Sequence, residues 1–215
     1  MKIAVIGASG NTGRHIMHEA TTRNLDVTAI VRNKENLKVK HDAVIEIDLF
    51  DLTKEHLAPF DIIINAFAPL PGEEHLHKEA GLHLISLLEG TPKRLFVVGS
   101  SGLLFINKAK TERLMDREDY PTEQRKIDEA QLANLHDLEQ SSIHWSMLNP
   151  SAMFDIEGPR TGHYTTGKEN IILNSQLNSY ISYADYAVVV IDEILNNEHA
   201  NRAFTAASEN ITTAS

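Results

Sequence analysis

The chain of 215 residues contains no cysteine, which excludes disulfides, thiolate catalysis and cysteine-ligated zinc. It has little positive charge: 20 Lys and Arg face 30 Asp and Glu, a formal net charge of −10. No basic block interrupts this balance, so a nucleic-acid partner is not expected, because phosphate backbones need a basic surface. No apolar run approaches the roughly 18 residues of a membrane span, and no basic, apolar, small-residue leader opens the chain. These absences point to a cytoplasmic protein with no membrane partner. Aromatics are sparse, and there is no internal repeat or low-complexity stretch. At 42% hydrophobic the chain still has enough apolar mass for a full core.

What is there is concentrated at the start. Ile3 to Ile6 is a short apolar run of the kind buried on both faces of a sheet. Gly7, Gly10 and Gly13 follow at three-residue spacing, and Ile16, Met17 and Ala20 then recur at helical spacing. Strand, glycine turn and helix together make a phosphate site. A side chain at Gly7 or Gly10 would obstruct the turn or hold the backbone off a pyrophosphate. Gly13 lets the helix lie close on the strand. Free N–H groups of the first helical turn then face the phosphates.

Further apolar strands are expected over residues 25–31, 43–47, 61–67, 94–98 and 143–148. Helical patterns separate them over 13–23, 53–57, 73–88 and 122–140. Alternation of this kind implies a parallel sheet with right-handed crossovers, hence an α/β, doubly wound, Rossmann-type fold in one domain spanning residues 1–215. Each strand ends in Gly, Asn, Asp, Ser or Arg, along the carboxyl edge where such folds bind ligands. After Pro150 the chain becomes rich in Gly, Thr and Asn. Residues 151–181 read as a loop-rich lid over a substrate site, with short strands near 171–173 and 180–182. Ser182 and Asp185 form a capping-box pattern opening a helix over 183–195. A last strand is expected over 202–206, and residues 209–215 read as a loose polar tail.

The spacing G-x-x-G-x-x-G, with Ala8 and Ser9 inside it and Asn11-Thr12 before Gly13, resembles the short-chain dehydrogenase/reductase superfamily. That resemblance implies a nicotinamide cofactor held by Gly7, Ser9, Gly10, Asn11, Thr12 and Gly13. It sets Asp48, with Leu49, beside the adenine, and Ala66, Phe67 and Ala68 along the ribose and diphosphate, with Asn149 and Pro150 at the end of the sixth strand. In NAD-binding members an acidic residue ends the second strand and holds the ribose 2′-hydroxyl. Here the position is Arg32, which cannot accept from a hydroxyl but pairs with a 2′-phosphate. Arg14 is a second candidate. NADP(H) is therefore expected over NAD(H).

The superfamily's usual chemistry uses a Tyr-x-x-x-Lys pair on the helix before the sixth strand and a serine after the fifth. Ser101, with Ser100 beside it, matches the serine. Tyr164-Thr-Thr-Gly-Lys168 matches the letters of the pair but falls after the sixth strand and reads as a decoy. Tyr120 precedes the expected helix and is followed four residues on by Gln124; Lys126 is six residues on and would not share its face. A ketone reductase needs a proton in its transition state; flavins and quinones take hydride into a delocalised system and need none there. Met153, Phe154 and Phe105 are candidate apolar walls. His75, His77 and His83 read as a solvated helix start rather than a metal site, and no metal is expected.

Met147-Leu-Asn-Pro-Ser-Ala-Met-Phe154, Arg160-Thr-Gly-His-Tyr164, Ile181-Ser-Tyr-Ala-Asp-Tyr-Ala187, Ile191-Asp-Glu-Ile194 and Arg202-Ala-Phe-Thr205 resemble the atypical bacterial reductases described as NAD(P)H-binding and NADH-flavin-reductase-like. These are cousins of the biliverdin reductase B/flavin reductase and NmrA-like groups. The resemblance covers nearly the whole chain. It implies an oxidoreductase passing hydride to a flavin (FMN or FAD), a quinone or a similar small-molecule acceptor, as a monomer or homodimer. One alternative is a non-catalytic NAD(P) sensor of the NmrA-like type. The other is a nucleotide-sugar epimerase or dehydratase, against which the short chain and the missing pair both speak.

Overall fold

The computed structural model describes residues 1–38 and 43–210. Strands β1 (Lys2–Ile6), β2 (Asp26–Val31), β3 (Val44–Glu46), β4 (Ile62–Asn65), β5 (Arg94–Val98), β6 (His144–Pro150), β8 (Tyr164–Gly167) and β10 (Arg202–Ser208) form one sheet in the order β3-β2-β1-β4-β5-β6-β10-β8. All pairs are parallel except β8, which runs antiparallel to β10 along the outer edge. The order reverses between β1 and β4, and ligands enter doubly wound sheets at such a reversal.

Side-chain alternation assigns the helices to two layers. Ile3, Val5, Ile64, Phe96 and Phe204 face α1 (Asn11–Thr22) and α5 (Tyr183–Asn196). Ala4, Ile6, Ile63, Leu95 and Met147 face α3 (Leu76–Leu88) and α4 (Thr122–Gln140). Covering both faces is why these strands read as continuous apolar runs. A single-turn helix α2 (Lys54–Leu57) precedes β4.

Several boundaries differ from the sequence expectation. Residues 74–75 form a turn, and α3 begins at Leu76. The strand expected at 171–173 does not form. Asn170 instead makes an isolated bridge to Phe105, whose carbonyl accepts from Ile171 N at 2.9 Å. The region read as loop contains β8 and also β7 (Met153–Asp155), which pairs with β9 (Tyr180–Ser182) in a separate small sheet. Ser182 caps α5 by accepting from Asp185 N at 2.9 Å. Asp185 does not close the box; its carboxylate takes Thr161 N and Gly162 N, each at 2.8 Å. The tail begins pinned, with Glu209 accepting from Ser175 Oγ at 2.6 Å. Residues 211–215 lie outside the described residues.

Arg160 fastens the segment after β7 to α1. Glu19 is 2% exposed and receives Arg160 through two bonds of 2.7 and 2.8 Å, and Arg23 at 2.7 Å. The Arg160 guanidinium holds the Glu19 carboxyl below its usual range, against the opposing push of burial.

Candidate functional site

The glycine turn is built to bring backbone to a ligand. Gly7 sits at φ +76°, and a Cβ there would lie 2.5 Å from the Ala66 carbonyl oxygen. At Gly13 a Cβ would meet the Gly7 carbonyl oxygen at 2.2 Å, so these two glycines serve packing. Gly10 differs: its Cβ would meet only the Gly7 oxygen, at 3.3 Å, and otherwise faces open space. Gly10 is also the N-cap of α1 and supplies no side-chain cap. The first N–H groups of α1 therefore have no partner in the helix and point outward.

A crevice of about 140 Å³ runs along this turn and brings Gly7, Ser9, Gly10, Arg32, Leu49 and Ala66–Ala68 together. Ala66–Ala68 are shared with a larger cleft of about 880 Å³ lined also by Thr12, Ser100, Ser101 and Pro150. The two spaces thus meet at the carboxyl end of β4. Asn65 sets that exit, its buried side chain accepting from Phe67 N at 3.1 Å. Four predicted residues, Gly13 in its packing role among them, stand apart from these surfaces. The Asp48 carboxylate caps the following turn, accepting from Phe50 N at 2.9 Å. Asn11 is exposed, and its carbonyl bonds the His15 ring at 2.8 Å. Asn149 is buried behind the floor, where it accepts from Ser100 N at 3.2 Å. Arg14 lies near the Tyr183 phenol and lines neither space.

The polar centre of the cleft is a group that sequence reasoning only half found. Asp128 is fully buried in α4 and accepts from Tyr120 Oη at 2.6 Å, from Gln124 Nε2 at 3.1 Å, and from Ser100 Oγ. A Cβ at Gly102 would strike the Asp128 carboxylate at 2.1 Å, so that glycine makes its room. Burial pushes the Asp128 carboxyl up, and the three bonds pull it back. Burial and then the bond to Asp128 raise the Tyr120 phenol, while the Ser101 hydroxyl beside it acts in the opposite direction. Part of the signal was present in the sequence: Gln124 and Asp128 lie four residues apart on one face of α4, and Tyr120 stands four residues before Gln124, just ahead of the helix.

Of the expected walls only Phe154 lines the cleft, stacked on Tyr183 with ring centroids 3.7 Å apart. Met153 is exposed, and Phe105 lies under the Arg113 guanidinium instead. Sequence reasoning missed Leu70, Leu114 and Ile127, which with Phe67 form the apolar wall. Of residues 151–181, only Ala152 and Phe154 reach this cleft.

The histidines do not converge. His75 faces Glu79 at 3.9 Å, and His83 bonds the Leu52 carbonyl at 3.1 Å. No cluster of three metal-ligating side chains occurs among the described residues. His77 is no solvated helix start: it is 8% exposed, lines the cleft, and burial pushes its imidazole down to about 4. Tyr164 lies away from the cleft, donating to Asp192 Oδ2 at 2.6 Å on the outer edge.

This fold, with a glycine turn opening onto a cleft at the strand reversal, is that of a dinucleotide-binding protein. Comparison with known proteins identifies the class more closely: residues 7–198 match the NAD(P)H-binding family, and the chain belongs to it. YwnB of Bacillus subtilis (strain 168), an uncharacterised protein, is 50% identical over 97% of this chain and 99% of its own. A Streptococcus pneumoniae structure provisionally called an NADH-flavin reductase is 37% identical, with TM-score 0.92 over 97% of this chain and 100% of that one. A Bacteroides thetaiotaomicron structure provisionally called an epimerase is 32% identical, with TM-score 0.83 over 96% of each chain. No helix among the described residues is long and apolar enough to cross a membrane.

Proposed function

We propose that this protein is a cytoplasmic, NADPH-dependent oxidoreductase that passes hydride to a flavin, a quinone or a similar conjugated small molecule, as a monomer or homodimer. One observation carries the reading. The cleft that adjoins the cofactor turn has an apolar wall and, among the described residues, no lysine or arginine lining it; of its two phenols Tyr183 is stacked on Phe154, and Tyr120, at the polar centre, is bonded to a carboxylate. A catalytic tyrosine in a carbonyl reductase is made acidic by a neighbouring cation. Here burial and the Asp128 carboxylate make the phenol a weaker acid, outweighing Arg125, whose guanidinium lies 5.9 Å from its ring. Hydride acceptors that delocalise charge tolerate such a site. An epimerase fares worse, since the same bond keeps the phenol from acting as a base near neutral pH.

The preference for the 2′-phosphate rests on Arg32, which is exposed at the rim of the crevice beside Ser9 and Gly10. The chemistry of the bound cofactor would be hydride donation. The chain's part is to hold its diphosphate on the first turn of α1 and to wall the acceptor from water. Loss of NADPH absorbance with purified protein and menadione, FMN or riboflavin tests the proposal. Steady oxidation with at least one acceptor is expected. Tight cofactor binding without turnover on any of them would instead favour a sensor.

A further inference from the structure

The hydroxyls at the cleft's polar centre have a direction. Asp128 is fully buried and has three donors converging on it, from Ser100, Tyr120 and Gln124. A carboxylate accepts and does not donate. Ser100 and Tyr120 therefore turn their protons inward, and what they offer a ligand is oxygen lone pairs. Gln124 also spends its Nε2 inward, which leaves its Oε1 as an acceptor.

His77 supplies the complement. Gln131 Nε2 lies 3.3 Å from the Val98 carbonyl oxygen and 3.2 Å from His77 Nδ1. The nitrogen of that amide must face Val98, because the oxygen there would oppose another acceptor. Nδ1 then accepts, and the ring proton sits on Nε2, which has no protein partner among the described residues. His77 lines the same cleft and is neutral at ordinary pH. The cleft thus presents lone pairs from Ser100, Tyr120 and Gln124 and one imidazole N–H from α3.

We infer that the acceptor pocket selects a ring carrying an imide-type edge, an N–H flanked by carbonyl oxygens as in the pyrimidine ring of a flavin, with Tyr120 Oη accepting from the ligand N–H. A quinone offers carbonyl oxygens only and would leave these lone pairs unpaired. The inference rests on the oxidoreductase reading for the identity of the cleft as the acceptor site. The carboxamide of the nicotinamide is a second possible N–H donor. Ser100, which directly follows Gly99 after β5, and Tyr120 both line the cleft, so the test below separates the two ligands.

The test is a binding ratio, read by quenching of flavin fluorescence with the protein saturated in NADP+. Riboflavin should bind about tenfold more tightly than N3-methylriboflavin, the scale of one lost hydrogen bond. Tyr120→Phe should bring that ratio near one, and the steric effect of the methyl group persists in the variant as its own control. Asp128→Asn, which presents donors and turns the hydroxyl protons outward, should do the same; Tyr120 is only partly buried, so its variant suffices if the buried one fails to fold. Equal binding of the two flavins by the wild type, no riboflavin binding, or an unchanged ratio in Tyr120→Phe would overturn the inference. So would a Tyr120→Phe effect confined to NADP+ against its 3-acetylpyridine analogue, which lacks the carboxamide N–H. NADPH oxidation by menadione is scored separately. Its presence without a flavin preference would spare the oxidoreductase and reject the imide, and a flavin preference without turnover would do the reverse.

Discussion

Tyr120 donates its phenolic proton to the Asp128 carboxylate across 2.6 Å, and Asp128 has no exposed surface. Burial and this bond together hold the phenol above its ordinary value of 10. The phenol therefore remains protonated across the neutral range. With a conjugated acceptor, kcat should be flat between pH of about 7 and 9. A limb in that window that disappears in Tyr120→Phe would mean that the tyrosine exchanges a proton during turnover, and carbonyl chemistry would replace the reading above.

The three glycines should separate by role. Gly10→Val places its side chain in the space left for the diphosphate, with only the Gly7 oxygen nearby at 3.3 Å. Calorimetric titration should show cofactor binding abolished while circular dichroism and the unfolding midpoint stay close to wild type. Gly13→Ala, whose Cβ would meet the Gly7 oxygen at 2.2 Å, should instead destabilise the fold. Wild-type affinity in Gly10→Val would confine the glycines to making the turn.

Arg32 sets the cofactor preference. A charge-assisted pair with the 2′-phosphate contributes roughly 1.5–3 kcal/mol, about ten- to a hundredfold in affinity. NADP(H) should bind more tightly than NAD(H) by that factor, and Arg32→Ala should lower NADP(H) affinity while leaving NAD(H) nearly unchanged. Equal wild-type affinities, or a preference untouched by the substitution, count against Arg32.

The regular part of the fold was legible because it is carried by local pattern. Arg94–Val98 and Thr122–Gln140 have the boundaries that their apolar periodicity predicts. What escaped depends on partners distant in sequence. Tyr164–Gly167 is largely exposed and lacks the alternation of a half-buried strand; only pairing with β10 makes it one. Its register sets Tyr164 opposite Ser208, 44 residues away in sequence. Asp185 was legible as a cap partner from its spacing to Ser182, but its carboxylate went to Thr161, which no local pattern announces. The glycine turn, Ser100 and Ser101 are readable as a site, whereas Asp128 lies eight residues past Tyr120, where the superfamily's pattern places no carboxylate.

Tyr164 and Lys168 carry the letters of a catalytic pair without the place. Tyr164 donates to Asp192 at 2.6 Å, and Asp192 also receives Arg23. Tyr164→Phe should leave kcat and the acceptor KM within a few-fold of wild type. It should lower stability by about 1.5–3 kcal/mol, the range for a bond to a charged group. A tenfold loss of kcat, worth about 1.4 kcal/mol of transition-state stabilisation, would return the pair to the mechanism.

His77 gives the protein an acid sensitivity of definite sign. Burial in the wall of the cleft lowers its imidazole from 6.5 to about 4, with Glu74 pulling weakly the other way. Between those values the unfolded chain binds a proton that the folded one refuses. Stability from this group is therefore fully present above about pH 6.5 and is lost as pH falls toward 4. The full shift corresponds to about 3 kcal/mol, of which about 2 would be gone by a pH of about 5. Urea unfolding at pH near 7 and near 5 should show this loss in the wild type, in addition to whatever other groups contribute. His77→Gln retains a hydrogen-bonding side chain but cannot titrate, so its stability should fall by about 2 kcal/mol less over the same interval. An equal fall in the two proteins would mean that the buried ring accepts its proton without resistance, and the neutral tautomer assigned to the cleft would fail with it.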